Sequence, residues 1–325
     1  MRAVVIPRFG GPEVLEIQDV PLPEPGPGQV RVRVRAFGLN RADLIQRRGH
    51  YPPPPDVPQD IPGLEYAGVI DALGPDVSNL QVGDGAMGIV GGGSCAEFVI
   101  TAADHVLSTP SQLSHLEAAA VPEVFMTAHD ALERLCVRAD EWVLVHAVGS
   151  GVGTAAVQLI AARGGRSVGT SRTADKLERA GSLGMNTGID SNSEDWAKAV
   201  REATGKGAHA CVDLVGGVLF PDTLKAMSSK GRIILVGLTA GLKAEVNLGL
   251  ILQKRLRIEG TVLRVRSHQE KADLVRSVTD QVLPLFDSGE LRPIVDRTFS
   301  FEEIRAAHEY METNANFGKI VVAVS

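Results

Sequence analysis

Close pairs of cysteine are missing from this chain: its three, Cys95, Cys136 and Cys211, stand far apart. That spacing excludes the disulfide framework of a small secreted fold and the paired-cysteine zinc lobe, and it leaves each thiol as a small buried hydrophobe. No apolar run approaches the roughly 20 residues needed to cross a bilayer. The start, "MRAVVIPRFGG", is too brief for a signal peptide and is broken at Pro7. Together these absences predict a cytoplasmic protein. Lys and Arg gather nowhere, and a formal net charge of −6 offers a run of nucleic-acid phosphates nothing to neutralise it. Repeats of solenoid period are absent too. The one biased stretch is "YPPPPDVP", residues 51 to 58, a stiff polyproline-like loop.

What is present is enough for two domains. A length of 325 residues, 44% hydrophobic and 22% charged, suits a soluble globular chain too long for one ordinary core. The first 110 residues are rich in Val, Gly and Pro, with short alternating runs such as "QVRVRVRAF" and "EYAGVIDALG", the pattern of a small antiparallel barrel or sandwich. From Ser114 the texture changes to "SHLEAAAVPEVFMTAHDALERL", where Ser114 and Glu117 have capping-box spacing. Continuous apolar strands then alternate with helices, which implies a parallel sheet covered on both faces. The last segment, ending in "FGKIVVAVS", returns to the first domain. The expected division is 1–122 with 290–325, and 123–289.

Within the second domain, "HAVGSGVGTAAVQLI", residues 146 to 160, follows the strand "WVLVH" and opens a helix. A glycine turn in that context lets main-chain N–H groups and the positive helix end face a pyrophosphate, so a dinucleotide is the expected guest. Gly149, Ser150, Gly151, Val152 and Gly153 form the turn, with Gly153 allowing close helix-to-sheet packing. About twenty residues on, an NAD enzyme places an acid at the tip of the second strand. Here that tip reads Thr170, Ser171 and Arg172, with Lys176 one turn further. Hydroxyls and a guanidinium suit a 2′-phosphate, so NADPH is preferred over NADH. The plainer alternative is that Arg172 and Lys176 are ordinary solvated charges at a helix start.

Taken together, "GLNRADLIQRRGHYPPPP", "IPGLEYAGVI", "GGGSCAEFV", "EAAAVPEVFMTAHDAL", "VHAVGSGVGTAAVQLI" and "FGKIVVAV" resemble the zinc-free quinone oxidoreductases of the medium-chain dehydrogenase/reductase superfamily, in particular their p53-inducible type. The resemblance implies an α/β chain with a GroES-like β-barrel domain, a Rossmann domain with a doubly wound parallel sheet, NADPH as cofactor and a homodimer. It would place Asn40, Tyr51 and Thr127 around the nicotinamide and substrate, and Ser171 and Lys176 near the adenosine phosphate. Gly237, Leu263 and Lys319 would also border the cofactor. Two departures stand out. Val148 replaces the usual glycine of the turn, and Asp190 with Ser191 replaces an Asn-Tyr pair after the third strand. The acid and the lost ring leave strict preference for NADPH open.

Where zinc-dependent relatives carry Cys and His ligands, this sequence has Asn40 and Leu64, which cannot replace thiolate and imidazole. The remaining histidines considered as ligands, His50, His105, His129 and His146, lack a metal-binding spacing and read as hydrogen-bonded scaffold. Without a Lewis acid the acceptor must spread incoming charge itself, as a quinone or α,β-unsaturated ketone does, and hydrogen-bond donors then suffice. The expected reaction is metal-free hydride transfer from NADPH to such an acceptor, with Asn40 and Tyr51 orienting its oxygen. Each has a structural alternative: Asn40 as a helix cap, Tyr51 as packing on its prolines. A 2-alkenal or enoyl-thioester reductase and a non-catalytic NADPH-binding protein are the rival functions.

Overall fold

The computed structural model describes residues 1–324. The chain opens with the antiparallel pair β1 (Arg2–Val5) and β2 (Glu16–Asp19), then enters β3 (Gln29–Leu39). Along β3 the valines 30, 32 and 34 are buried while Arg33 and Arg35 are exposed, the period-two alternation of a half-buried strand. Arg31 and Arg33 both reach Asp71, at 2.7 and 2.9 Å, on the next strand. After the short helix α1 (Arg41–Arg47) come β4 (Glu65–Leu73), β5 (Gly85–Ile89), β6 (Phe98–Ala102) and β7 (Leu107–Ser108). Ser114 caps α2 (His115–Ala118) through the expected box with Glu117, but the helix stops there. Pro122 lacks the N–H needed to continue it and begins α3 (Pro122–Arg134) instead.

Six parallel strands follow: β8 (Trp142–Val145), β9 (Arg166–Ser171), β10 (Thr187–Asp190), β11 (Ala208–Asp213), β12 (Met227–Leu235) and β13 (Arg257–Gly260). Between them run α4 (Gly151–Ala162), α5 (Ala174–Gly181), α6 (Trp196–Thr204), α7 (Phe220–Ala226) and α8 (Leu248–Lys254). Their spatial order, β10-β9-β8-β11-β12-β13, is the doubly wound Rossmann order with its switch point between the first and fourth strands. The core of this sheet includes Leu144, Val168, Trp196, Cys211 and Ile233.

The chain ends through α9 (His268–Gln281), α10 (Leu283–Asp287), β14 (Val295–Ser300), α11 (Ile304–Glu312) and β15 (Lys319–Ala323). β15 pairs antiparallel with β3, and the first sheet runs β14-β15-β3-β4-β5-β7, with β6 also on β3. Its core includes Phe37, Leu39, Tyr66, Ile70 and Phe301.

Two compact units result: Met1–Met126 with everything from Leu263, and Thr127–Val262. The return therefore comes at Leu263 and not at residue 290, because α9 and α10 pack on the first unit. Phe286 meets Phe125 edge to face at 4.9 Å between centroids, and Gln112 donates to the Asp287 carbonyl at 3.0 Å. One cysteine also departs from expectation. Cys95 and Cys211 are buried, but Cys136 is exposed, on a turn that it enters with φ of 47°.

Candidate active site

The glycine turn lies at the C-terminal end of β8, the first strand beside the switch point. Ala147 takes φ of 49°, a left-handed conformation costing an alanine about 1–2 kcal/mol, and the chain reverses into α4. Ser150 is the N-cap, its hydroxyl oxygen accepting the Gly153 N–H at 3.1 Å. This leaves the Gly151 and Val152 amides at the helix head, where no intrahelical acceptor reaches them. A Cβ on Gly153 would lie 2.6 Å from the Ala147 carbonyl oxygen and 2.7 Å from the Val148 Cα. Val148 is fully buried, so the residue replacing the usual glycine packs inward.

His146 supports this turn. Its Nε2 is 2.9 Å from the Thr223 hydroxyl, which itself donates to the Leu219 carbonyl, and its Nδ1 is 2.8 Å from the Thr170 hydroxyl. Thr223 must therefore accept, which fixes a proton on Nε2. Burial lowers the pKa of the ring and so favours its neutral form.

At the tip of β9, Ser171 is buried, its oxygen accepting the Thr173 N–H at 3.3 Å, and Arg172 is exposed. The Lys176 chain lies against Gly149, since a Cβ there would meet Lys176 Cδ at 2.7 Å. The two nearby acids are both engaged. Asp175 pairs with Arg179 at 3.7 Å, and Asp190 accepts the Asn192 N–H at 2.8 Å. Gly237 follows β12, with its N–H on the Asp213 carbonyl at 3.3 Å. Thr127 is buried on α3, and Leu263 is buried where the chain re-enters the first unit.

The first unit gathers a second set. Asn40 is the N-cap of α1 in a capping box with Asp43, whose Oδ2 accepts the Asn40 N–H at 2.8 Å. Asn40 Nδ2 also donates to Glu65 Oε1 at 2.9 Å, and its Oδ1 accepts from Lys319 Nζ at 2.7 Å. Lys319 also reaches the Leu39 carbonyl at 2.6 Å and Glu65 at 2.5 Å, so all three ammonium protons are used. Glu65 Oε2 accepts the Glu123 N–H at 2.9 Å. Gly38 is required here, because a Cβ would fall 2.3 Å from Glu65 Oε1. Leu64, beside Glu65, is buried apolar wall.

Tyr51 is held by a residue that sequence reasoning did not single out. Arg264, 6% exposed, stacks its guanidinium 4.5 Å from the Tyr51 ring centroid, within cation–π range. It donates to the Tyr51 carbonyl at 3.1 Å, the Gly91 carbonyl at 2.7 Å and Gln46 Oε1 at 2.8 Å. Burial and the Glu123 charge raise the Tyr51 phenol pKa against the opposing effect of Arg264, so its hydroxyl stays a donor. Burial, with Glu65 adding to it, pushes the Glu123 carboxyl up to about 8, and burial pushes Asp43 up to about 6.

Family comparisons agree with both halves. Residues 26–111 match the alcohol dehydrogenase GroES-like domain and 183–322 the zinc-binding dehydrogenase domain. Quinone oxidoreductase of Lama guanicoe is 32% identical over 99% of this chain and 97% of its own length. The chain belongs to the quinone oxidoreductase family of the medium-chain dehydrogenase/reductase superfamily. Among solved structures, an NAD-dependent alcohol dehydrogenase is 34% identical with a TM-score of 0.91, over the full length of both chains. A mycobacterial protein complexed with NADPH is 26% identical with a TM-score of 0.90, also over both full lengths. As a member of this family the protein is an oxidoreductase with a Rossmann-type nicotinamide cofactor and a small-molecule substrate. The signal that could have flagged Arg264 is a basic residue between apolar neighbours in "TVLRV", followed by Arg266.

Proposed function

We propose that this protein is an NADPH-dependent quinone oxidoreductase that reduces a quinone or other conjugated carbonyl without a metal ion. The observation carrying this reading is the state of the buried cations beside Asn40 and Tyr51. Lys319 gives every proton to Glu65, Asn40 and the Leu39 carbonyl, and Arg264 donates from all three of its nitrogens. Lys319 is therefore spent, Arg264 keeps two N–H donors as hydrogen-bonding groups, and the positions of the zinc ligands hold Asn40 and Leu64. An acceptor that delocalises its own charge needs only donors.

The residues present suit a dinucleotide. The α4 amides and the Ser150 hydroxyl form an anion cradle at the β8 end, and Gly149, Gly151, Val152 and Gly237 keep that sheet end low. Ser171, Arg172 and Lys176 surround the place of a 2′-phosphate, while Asp175 and Asp190 are engaged elsewhere, which favours NADPH. Bound there, the cofactor supplies hydride. The chain contributes positioning: the Tyr51 hydroxyl donates to the acceptor oxygen, and Asn40, locked by Lys319 and Glu65, gives a rigid polar wall. Thr127, Leu263 and Lys319 complete the surroundings, and solvent finishes protonation. Catalysis is then mostly proximity.

The proposed working form is a cytoplasmic homodimer. Among the described residues no helix is long and apolar enough to cross a membrane. β13 ends its sheet with one edge unpaired, and Leu248, Leu252 and Val262 beside it are at least half exposed. A second copy of this chain would cover that edge.

Pre-steady-state oxidation of NADPH and NADH with 9,10-phenanthrenequinone, 1,4-benzoquinone and trans-2-alkenals tests the reading. Quinone turnover is expected, with NADPH preferred and the preference weakened in Arg172→Ala and Lys176→Ala. Alkenal turnover with every quinone inert would make the protein an alkenal reductase. Tight NADPH binding with no turnover would make it a non-catalytic binder.

A further inference from the structure

A second chemistry-bearing cluster lies in the first unit, outside the residues above. The single turn after β6, residues 103–105, meets the start of α9. Their side chains Asp104, His105 and His268 place one ligand-type atom each within 4.8 Å of one another, the one such group among the described residues. The two imidazoles lie 4.4 Å apart between centroids. Asp104 Oδ2 is 2.8 Å from His268 Nε2, and Oδ1 is 3.9 Å from His105 Nε2. His105 Nε2 also donates to the His268 carbonyl at 3.0 Å.

Two imidazoles and a carboxylate make a borderline donor set, suited to zinc, cobalt or nickel and poorly suited to magnesium or calcium. Ligands about 2.0–2.1 Å from a tetrahedral zinc ion lie about 3.3 Å from each other. The two separations between Asp104 and the imidazoles bracket that value, and all three ligand-type atoms lie within 4.8 Å of one another. Asp104 and His268 are exposed, leaving an entry path and room for water as further ligand. Lys271, one turn along α9, opposes a cation, and Asp56 faces that lysine in compensation.

We propose that Asp104, His105 and His268 form a surface site for a divalent transition-metal ion, with water completing its coordination. Each neutral ring presents Nε2 to the ion and carries its proton on Nδ1; the His105 bond to the His268 carbonyl and the His268 bond to Asp104 are exchanged for metal bonds. The ion then ties the 103–105 turn to α9 across more than 160 residues of chain, so binding stabilises the folded state by mass action.

Chelator-treated full-length protein is titrated with Co²⁺, read by d–d absorption, and with Zn²⁺, read by calorimetry and by the thermal midpoint. One ion per chain is expected, with affinity reduced at least tenfold in His268→Ala and in Asp104→Asn, a variant that keeps the hydrogen-bonding shape. The midpoint should rise with Zn²⁺ in the unaltered protein and not in His268→Ala, while Mg²⁺ has no effect on either. The site is refuted if Co²⁺ gives no spectrum, or if the spectrum survives unchanged in a His105→Ala/His268→Ala protein whose circular dichroism shows it folded.

Discussion

Arg264 is the residue on which the geometry around Tyr51 turns. It fixes that residue by its carbonyl and its ring together, so replacing it with Gln frees the Tyr51 loop without touching the glycine turn. Steady-state kinetics should show kcat/KM for a quinone falling about tenfold, roughly 1.4 kcal/mol of transition-state positioning, with the NADPH dissociation constant unchanged. His308 gives a pH prediction. It is fully buried and its Nδ1 faces Arg47 Nη1 at 3.1 Å; burial and that cation push its pKa down to about 3. A histidine held below its ordinary value lends stability that is complete above about pH 6.5 and is lost as pH falls from there towards 3. Urea unfolding from pH 7 to 4 should show this loss, on the order of 3 kcal/mol, and His308→Gln should remove about one proton from the slope. Neither residue stands in a sequence motif. A buried Arg or His is recognised by what surrounds it, and those neighbours come from distant segments.

At the scale of elements, the strand–turn–helix at 142–162 was legible because its information is local. An apolar strand, a glycine turn and a serine cap act within one another's reach. Gly153→Ala is the sharpest test, since the added methyl meets backbone and not a flexible side chain. The turn must shift, and overpacking of this kind typically costs 1–3 kcal/mol; denaturant midpoints should fall and nucleotide affinity with them. The helix drawn from Ser114 was only partly legible: its cap and box are real, but Pro122 divides it. Asn40 shows the converse. Its capping position could be read from sequence, but not that the same side chain also bonds Lys319 and Glu65, partners that satisfy a buried ion pair.

For the whole molecule, the exposed edge of β13 makes oligomeric state the quantity to measure. Sedimentation should report twice the chain mass of 34.5 kDa, and Leu252→Glu combined with Ile258→Lys should yield a folded monomer, because charge on an edge blocks strand addition. Domain order was visible in the change from period-two alternation to continuous apolar strands. The residue at which the chain returns was not, since α9 and α10 are amphipathic helices that would suit either unit by pattern alone.

Sequence by itself determined the two architectures and the strand, glycine turn and helix at 142–162, because each depends on residues that are neighbours in the chain. Tertiary structure decided that Lys319 is spent on Glu65, that Arg264 grips Tyr51, and that His105, taken alone as scaffold, stands beside His268. Those pairings join segments more than 160 residues apart, and only the folding of the sheets brings such groups within bonding distance.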